Sequence, residues 1–175
     1  MREKLQQRQL NYQSKVQLLV QELGSFSPEI LNRKPADGGW SAIQTAWHLL
    51  LVEENSLAYI HKKLGFGGAF EKAGFSASLR NFLLNAALFL PLKFKAPATA
   101  SGDNLPDVIP FDDLRERWGA VQKNWTDLLA QLPEDLLDRA VFKHPRAGRL
   151  SWMQTLAFID THFDRHRLQI QKALR

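Results

Sequence analysis

Four stretches of this chain place apolar side chains at three- and four-residue steps, the spacing of helices that bury one face against each other. Glu3 to Leu23 carries Leu5, Tyr12, Val16, Leu19, Val20 and Leu23. Trp40 to Leu64 carries Ile43, Trp47, Leu50, Leu51, Ala58 and Leu64. Asp112 to Leu132 carries Leu114, Trp118, Val121, Trp125, Leu128, Leu129 and Leu132, and Trp152 to Ala173 is a fourth apolar run. Helix punctuation agrees with these limits. Ser41 with Gln44, and Ser151 with Gln154, have the spacing of a capping box. Gly24 is a C′ stop for the first helix, and Pro133 ends the third. Asp112 and Asp113 suit a helix N-terminus.

The connections read less richly. Ser27-Pro28-Glu29 opens a short turn, and 33–39 is loop, with Pro35, Gly38 and Gly39. Residues 65–74 hold four glycines but follow no strand and lack the dinucleotide fingerprint, so they read as loop. Residues 77–90 form a short, very apolar helix stopped by Pro91, which is expected to be covered within the chain or in a homodimer. The four prolines of 91–110 give an extended crossover. Residues 134–150 read as a turn followed by loop, with His144 before Pro145 in extended or turn backbone.

With 175 residues and 45% hydrophobic composition, a single domain spanning 1–175 with a sizeable core is expected. Cysteine is absent, which excludes disulfides, zinc ribbons and a cysteine nucleophile. The first residues lack the apolar region of a secretory signal, and no 18-residue apolar run is present, so a cytoplasmic protein without membrane spans is expected. The net charge of +5 lies in the first half of the chain, scattered among acids rather than gathered in a stripe with aromatic platforms. Nucleic acid is therefore not the expected partner.

The chemistry concentrates in His162-Phe163-Asp164-Arg165-His166. Histidines four apart on a helix differ by about 40° in azimuth and one turn in height, so both rings can reach one ion. His48, in the second helical stretch, would complete a three-histidine set with open coordination positions. The same pair also fits an ordinary amphipathic helix with two surface histidines. Phe163 stands where a zinc protease helix has its glutamate, so no general base is built into the motif. Gln44 and Asn55 share roughly the face of His48 and are candidates to line the pocket, a satisfied core amide being the other account of Asn55. His61 lies about 220° round the helix from His48 and reads as surface, and His144 reads as a structural loop residue.

Gly39-Trp40-Ser41, His48-Leu49, His144-Pro145, Gly148, Leu150-Ser151-Trp152, His162, His166-Arg167 and Gln169-Ile170 together resemble the DinB/YfiT-like superfamily over nearly the whole chain. The resemblance implies an all-α four-helix bundle, with a long crossover between helices 2 and 3 at residues 65–111. The 77–90 segment would be a short extra helix within it. It implies His48, His162 and His166 as ligands of a divalent ion, often zinc or nickel. Relatives include bacillithiol S-transferases, mycothiol-dependent isomerases and members assigned as hydrolases. The activity expected is a metal-dependent reaction on a small-molecule substrate. A thiol S-transferase-like step with a low-molecular-weight thiol cofactor comes first, and a hydrolase using metal-bound water second. A non-catalytic metal- or ligand-binding stress-response bundle is the third reading.

Overall fold

The computed structural model describes residues 1–66, 70–71, 105–144 and 147–175. The apolar 77–90 segment and most of the crossover lie outside them. Four long helices build the bundle: α1 (Arg2–Leu23), α3 (Ala42–Gly65), α4 (Phe111–Gln131) and α5 (Trp152–Ala173). A short helix α2 (Pro28–Asn32) follows α1, with Pro28 in its first turn. The strands β1 (Ala140–His144) and β2 (Gly148–Ser151) precede α5. Helices α1 and α3 each pack against both α4 and α5. No described helix is long and apolar enough to cross a membrane.

The helix starts are as the sequence predicts. In α3 the Gln44 amide N–H donates to Ser41 Oγ at 3.2 Å, and the Ser41 N–H donates to Gln44 Oε1 at 3.1 Å. In α5 Ser151 and Gln154 repeat the exchange, at 3.3 and 2.9 Å. Each box satisfies two helix-end donors that would otherwise be orphaned. At the far end of α4 the Arg2 guanidinium donates to the carbonyls of Leu129, Ala130 and Leu132, so α1 and α4 lie antiparallel, tied end to end.

Gly24 ends α1 as the sequence predicts, with a right-handed φ of −64°. Its value is space, since a Cβ there would meet the Phe111 ring at 3.1 Å. One reading of the sequence is corrected, for the stretch after Pro133 is not loop throughout. After a short 3₁₀ turn at Glu134–Leu136, β1 and β2 form an antiparallel hairpin that pairs Phe142 with Leu150 and His144 with Gly148. Gly148 adopts a φ of 77°, which a side chain would disfavour.

The core is built from the predicted stripes, with Trp118, Trp125, Trp152 and Phe163 among its largest fully buried side chains. Glu53 stands in the middle of it. It is 1% exposed and accepts three hydrogen bonds, from Tyr12 Oη at 2.5 Å, Trp118 Nε1 at 2.7 Å and Gln122 Nε2 at 2.7 Å. These donors come from α1 and α4, so one carboxyl links three helices. Its place had a sequence signal. Glu53 lies three residues after Leu50 and four before Leu57, on the apolar stripe of α3, whereas its neighbour Glu54 pairs with Arg117 at the surface.

Burial pushes the Glu53 carboxyl up to about 7 although its three donors favour the ionised form. A carboxyl raised in the folded state retains its proton longer than in the unfolded chain. Its contribution is therefore fully present below the unfolded value near 4.5 and is lost as pH rises through about 7. The cost at pH 8 is of the order of 3 kcal/mol. Glu53→Gln is expected to flatten that slope, so that its stability relative to wild type rises between pH 5 and pH 8 in urea unfolding. A difference constant across this range would show that Glu53 ionises as freely as in the unfolded chain.

Candidate metal centre

His48 lies in the first half of α3, seven residues beyond its serine cap, while His162 and His166 lie eleven and fifteen beyond the cap of α5. The packing of α3 on α5 brings them together. One nitrogen from each of His48, His162 and His166 can be chosen so that all three lie within 4.8 Å of one another. The ring centroids are 5.2 Å apart for His48 and His162, 4.8 Å for His48 and His166, and 4.4 Å for His162 and His166. No other histidine or acidic cluster of this kind occurs among the described residues.

The donor chemistry suits a divalent ion. His162 Nε2 and His166 Nε2 face each other at 3.0 Å. Gln169 Oε1 stands 2.8 Å from His166 Nδ1, so that nitrogen carries the proton and the lone pair of Nε2 points to its neighbours. Burial, and then the positive charge that His166 and His48 would carry, holds His162 well below its ordinary value. Burial and His48 push His166 down to about 3, against the opposing hydrogen bond of Gln169. Three imidazoles gathered in one place, two of them held neutral by burial, are what a borderline metal ion takes as ligands.

Aromatic rings wall this place. The Trp40 ring lies 5.0 Å from that of His48, and Phe158 stacks on His162 at 5.5 Å. The residues between the paired histidines are committed elsewhere. Phe163 is fully buried against Tyr12, at 5.5 Å, and Trp118, at 6.2 Å. Asp164 receives the Lys15 ammonium at 2.8 Å, beside Asp160 at 2.7 Å. Arg165 keeps a positive charge near both histidines and helps to hold them neutral.

The sequence profile of the DinB superfamily matches residues 12–170. The chain belongs to the DinB superfamily. No curated protein and no solved structure matches it. In this DinB protein the buried histidine group fits a metal-binding site, and the family membership agrees with it.

Other predicted site residues fall differently. Gln44 is buried, but both ends of its amide are in use, in the cap and in a 2.9 Å bond from Nε2 to the Pro106 carbonyl. Asn55 is exposed, so it is not a core amide. The first turns of α3 are buried on every side, so burial at His48 did not identify a face that continues to Asn55. His61 is exposed, as expected. His144 ends β1, accepts from the Ala147 N–H at Nδ1 and packs on Phe158 at 4.5 Å, outside the three-histidine group. The sequence did not anticipate Phe158 as a bridge from His144 to His162.

His162→Ala is expected to abolish stoichiometric binding of zinc or nickel, while His144→Ala and His61→Ala retain it, measured by elemental analysis after dialysis. Equal metal content in wild type and His162→Ala would remove His162 from the ligand set. The depressed pKa values give a second expectation for metal-free protein. The unfolded chain takes up protons near pH 6.5 that native His162 and His166 refuse. Their contribution is thus present above the unfolded value and falls away as pH drops below it. Each costs at most about 1.4 kcal/mol per pH unit. His166→Leu should flatten this acid-side slope in chelator-treated protein. An unchanged slope would place the His166 imidazole in contact with solvent.

Proposed function

We propose that this DinB protein is a divalent-metal-dependent enzyme acting on a small molecule, by a thiol S-transferase-like reaction. The observation that carries the reading is the set of three imidazoles from two helices, His48 buried and His162 and His166 half-buried, with no carboxylate in the group. A divalent ion held there supplies Lewis acidity, which lowers the pKa of a thiol or a water placed at an open position. The chain's own residues do the rest. His48, His162 and His166 would hold the ion, and Gln169 fixes the tautomer that makes His166 a donor of its Nε2 lone pair. Trp40 and Phe158 give the site apolar flanks that limit access of water.

Phe163, buried where a zinc protease has its glutamate, offers no general base for activating water. That favours a nucleophile that ionises readily by itself, and a thiol does so far more easily than water. Since the chain has no cysteine, the thiol would be a small cofactor. Hydrolysis is the second reading. A non-catalytic metal-binding bundle is the third.

The test uses protein purified without a nickel column and assayed with an electrophile and a low-molecular-weight thiol. Turnover is expected to require both thiol and divalent metal. Gln169→Leu should lower activity or metal affinity by roughly 10- to 100-fold, the usual effect of losing a group that orients a ligand. Metal-dependent turnover without thiol would favour the hydrolase. Stoichiometric metal with no turnover would favour the binding module, and turnover indifferent to chelation would reject all three.

A further inference from the structure

Behind the histidine site, the Glu53 carboxyl is the inner end of a buried hydrogen-bond chain. Gln122 Nε2 donates to Glu53 Oε2 at 2.7 Å, and Gln9 Nε2 donates to Gln122 Oε1 at 3.0 Å. Both glutamines are buried, and the chain ends badly, for Gln9 Oε1 is a buried acceptor with no partner. Such an orphan is costly. Gln9 also lines a cavity of about 170 Å³ with Gln6, Leu10, Thr126 and Leu129.

The same heavy-atom positions support a second arrangement. An amide oxygen and an amide nitrogen have nearly the same size, so half a turn about the last side-chain bond exchanges acceptor for donor. With a proton on Oε2, Glu53 can donate to Gln122 Oε1 turned towards it. The Gln122 amide nitrogen then donates to Gln9 Oε1, also turned inward, and the orphan acceptor gains a partner. The Gln9 amide nitrogen takes the outer position.

We propose that Glu53, Gln122 and Gln9 form a proton-controlled switch, in which uptake of one solvent proton by Glu53 Oε2 reverses both amides and changes the group Gln9 presents at the outer end of the chain from acceptor to donor. Tyr12 and Trp118 hold Oε1 in both states, so the carboxyl stays in place while Oε2 changes role.

The surroundings favour such a device. Burial raises the Glu53 carboxyl to about 7, where both forms are populated at neutral pH. From α1 the neighbouring titratable group is Tyr12, itself raised by burial and by Glu53. From α3 it is Glu54, which is paired with Arg117 of α4. Trp118 and Gln122 of α4 cannot take up the charge. From α5, Phe163 covers Tyr12 and Trp118, and Asp160 and Asp164 act on Tyr12 while bound by Lys15. Among the described residues no cation pairs with Glu53. Its ionised form is supported by the three donors, and its neutral form by relief of burial, with the Gln9 amide nitrogen in place of its oxygen at the outer end.

Nuclear magnetic resonance of the full chain between pH 5 and pH 9 tests the switch. The side-chain amide resonances of Gln9 and Gln122 and the carboxyl carbon of Glu53 are expected to move together, with one midpoint near 7. In Glu53→Gln the new amide nitrogen donates permanently to Gln122, so both glutamine pairs should hold their low-pH positions throughout. Wild type decides the matter even if that variant fails to fold. Glutamine resonances that stay fixed while Glu53 titrates would overturn the switch, as would a Glu53 that does not titrate in this range. Glutamine shifts that persist in a folded Glu53→Gln would assign the transition to a group other than Glu53 and overturn it as well.

Discussion

Two serine caps set the positions from which the histidine geometry follows. Ser41 and Ser151 fix the first residues of α3 and α5, and from there each helix counts out its ligands at 1.5 Å and about 100° per residue. The donor nitrogens meet because the two helices pack together with their starts held in this way. Gln44 illustrates how closely the cap and the surrounding chain are joined, since the amide that closes the box also holds the Pro106 carbonyl of the returning crossover.

Two kinds of buried ionisable group then share the bundle core, and they pull against each other. His162 and His166 are kept neutral by burial and mutual repulsion, which favours the folded state towards higher pH. Glu53 is kept protonated by burial, which favours it towards lower pH. Within the window between about 4.5 and 6.5 the two slopes oppose, so the metal-free wild type conceals titrations that single variants expose. Phe163 is the physical neighbour of both. It follows His162 in sequence and packs on Tyr12 and Trp118, the two residues that hold Glu53 Oε1.

Much of this was legible in the residues. The long helices declared themselves because each apolar stripe persists for several turns and begins or ends at a serine, proline or glycine with a defined backbone role. The histidine grouping was legible as an i,i+4 pair with a third histidine on another helix. The hairpin was not, because its strands are four and five residues long and sit beside turn-forming residues that mask their alternation. Asn55 was misplaced because the start of α3 is covered on all sides, which erases the contrast that azimuth arguments need. Glu53 sat on the stripe in plain view, but one acidic residue among apolar ones does not reveal which donors await it from other helices.

The hairpin has a consequence for how such a chain tolerates changes in length. β2 ends at Ser151, and Ser151 is the cap of α5, so no slack separates strand from helix. One residue inserted between that cap and His162 would turn the histidine pair by about 100° and carry it off the site. One residue inserted at the hairpin tip, between His144 and Gly148, leaves the count from the cap untouched. The segments that run from cap to ligand are therefore where a working lineage of this bundle cannot grow or shrink.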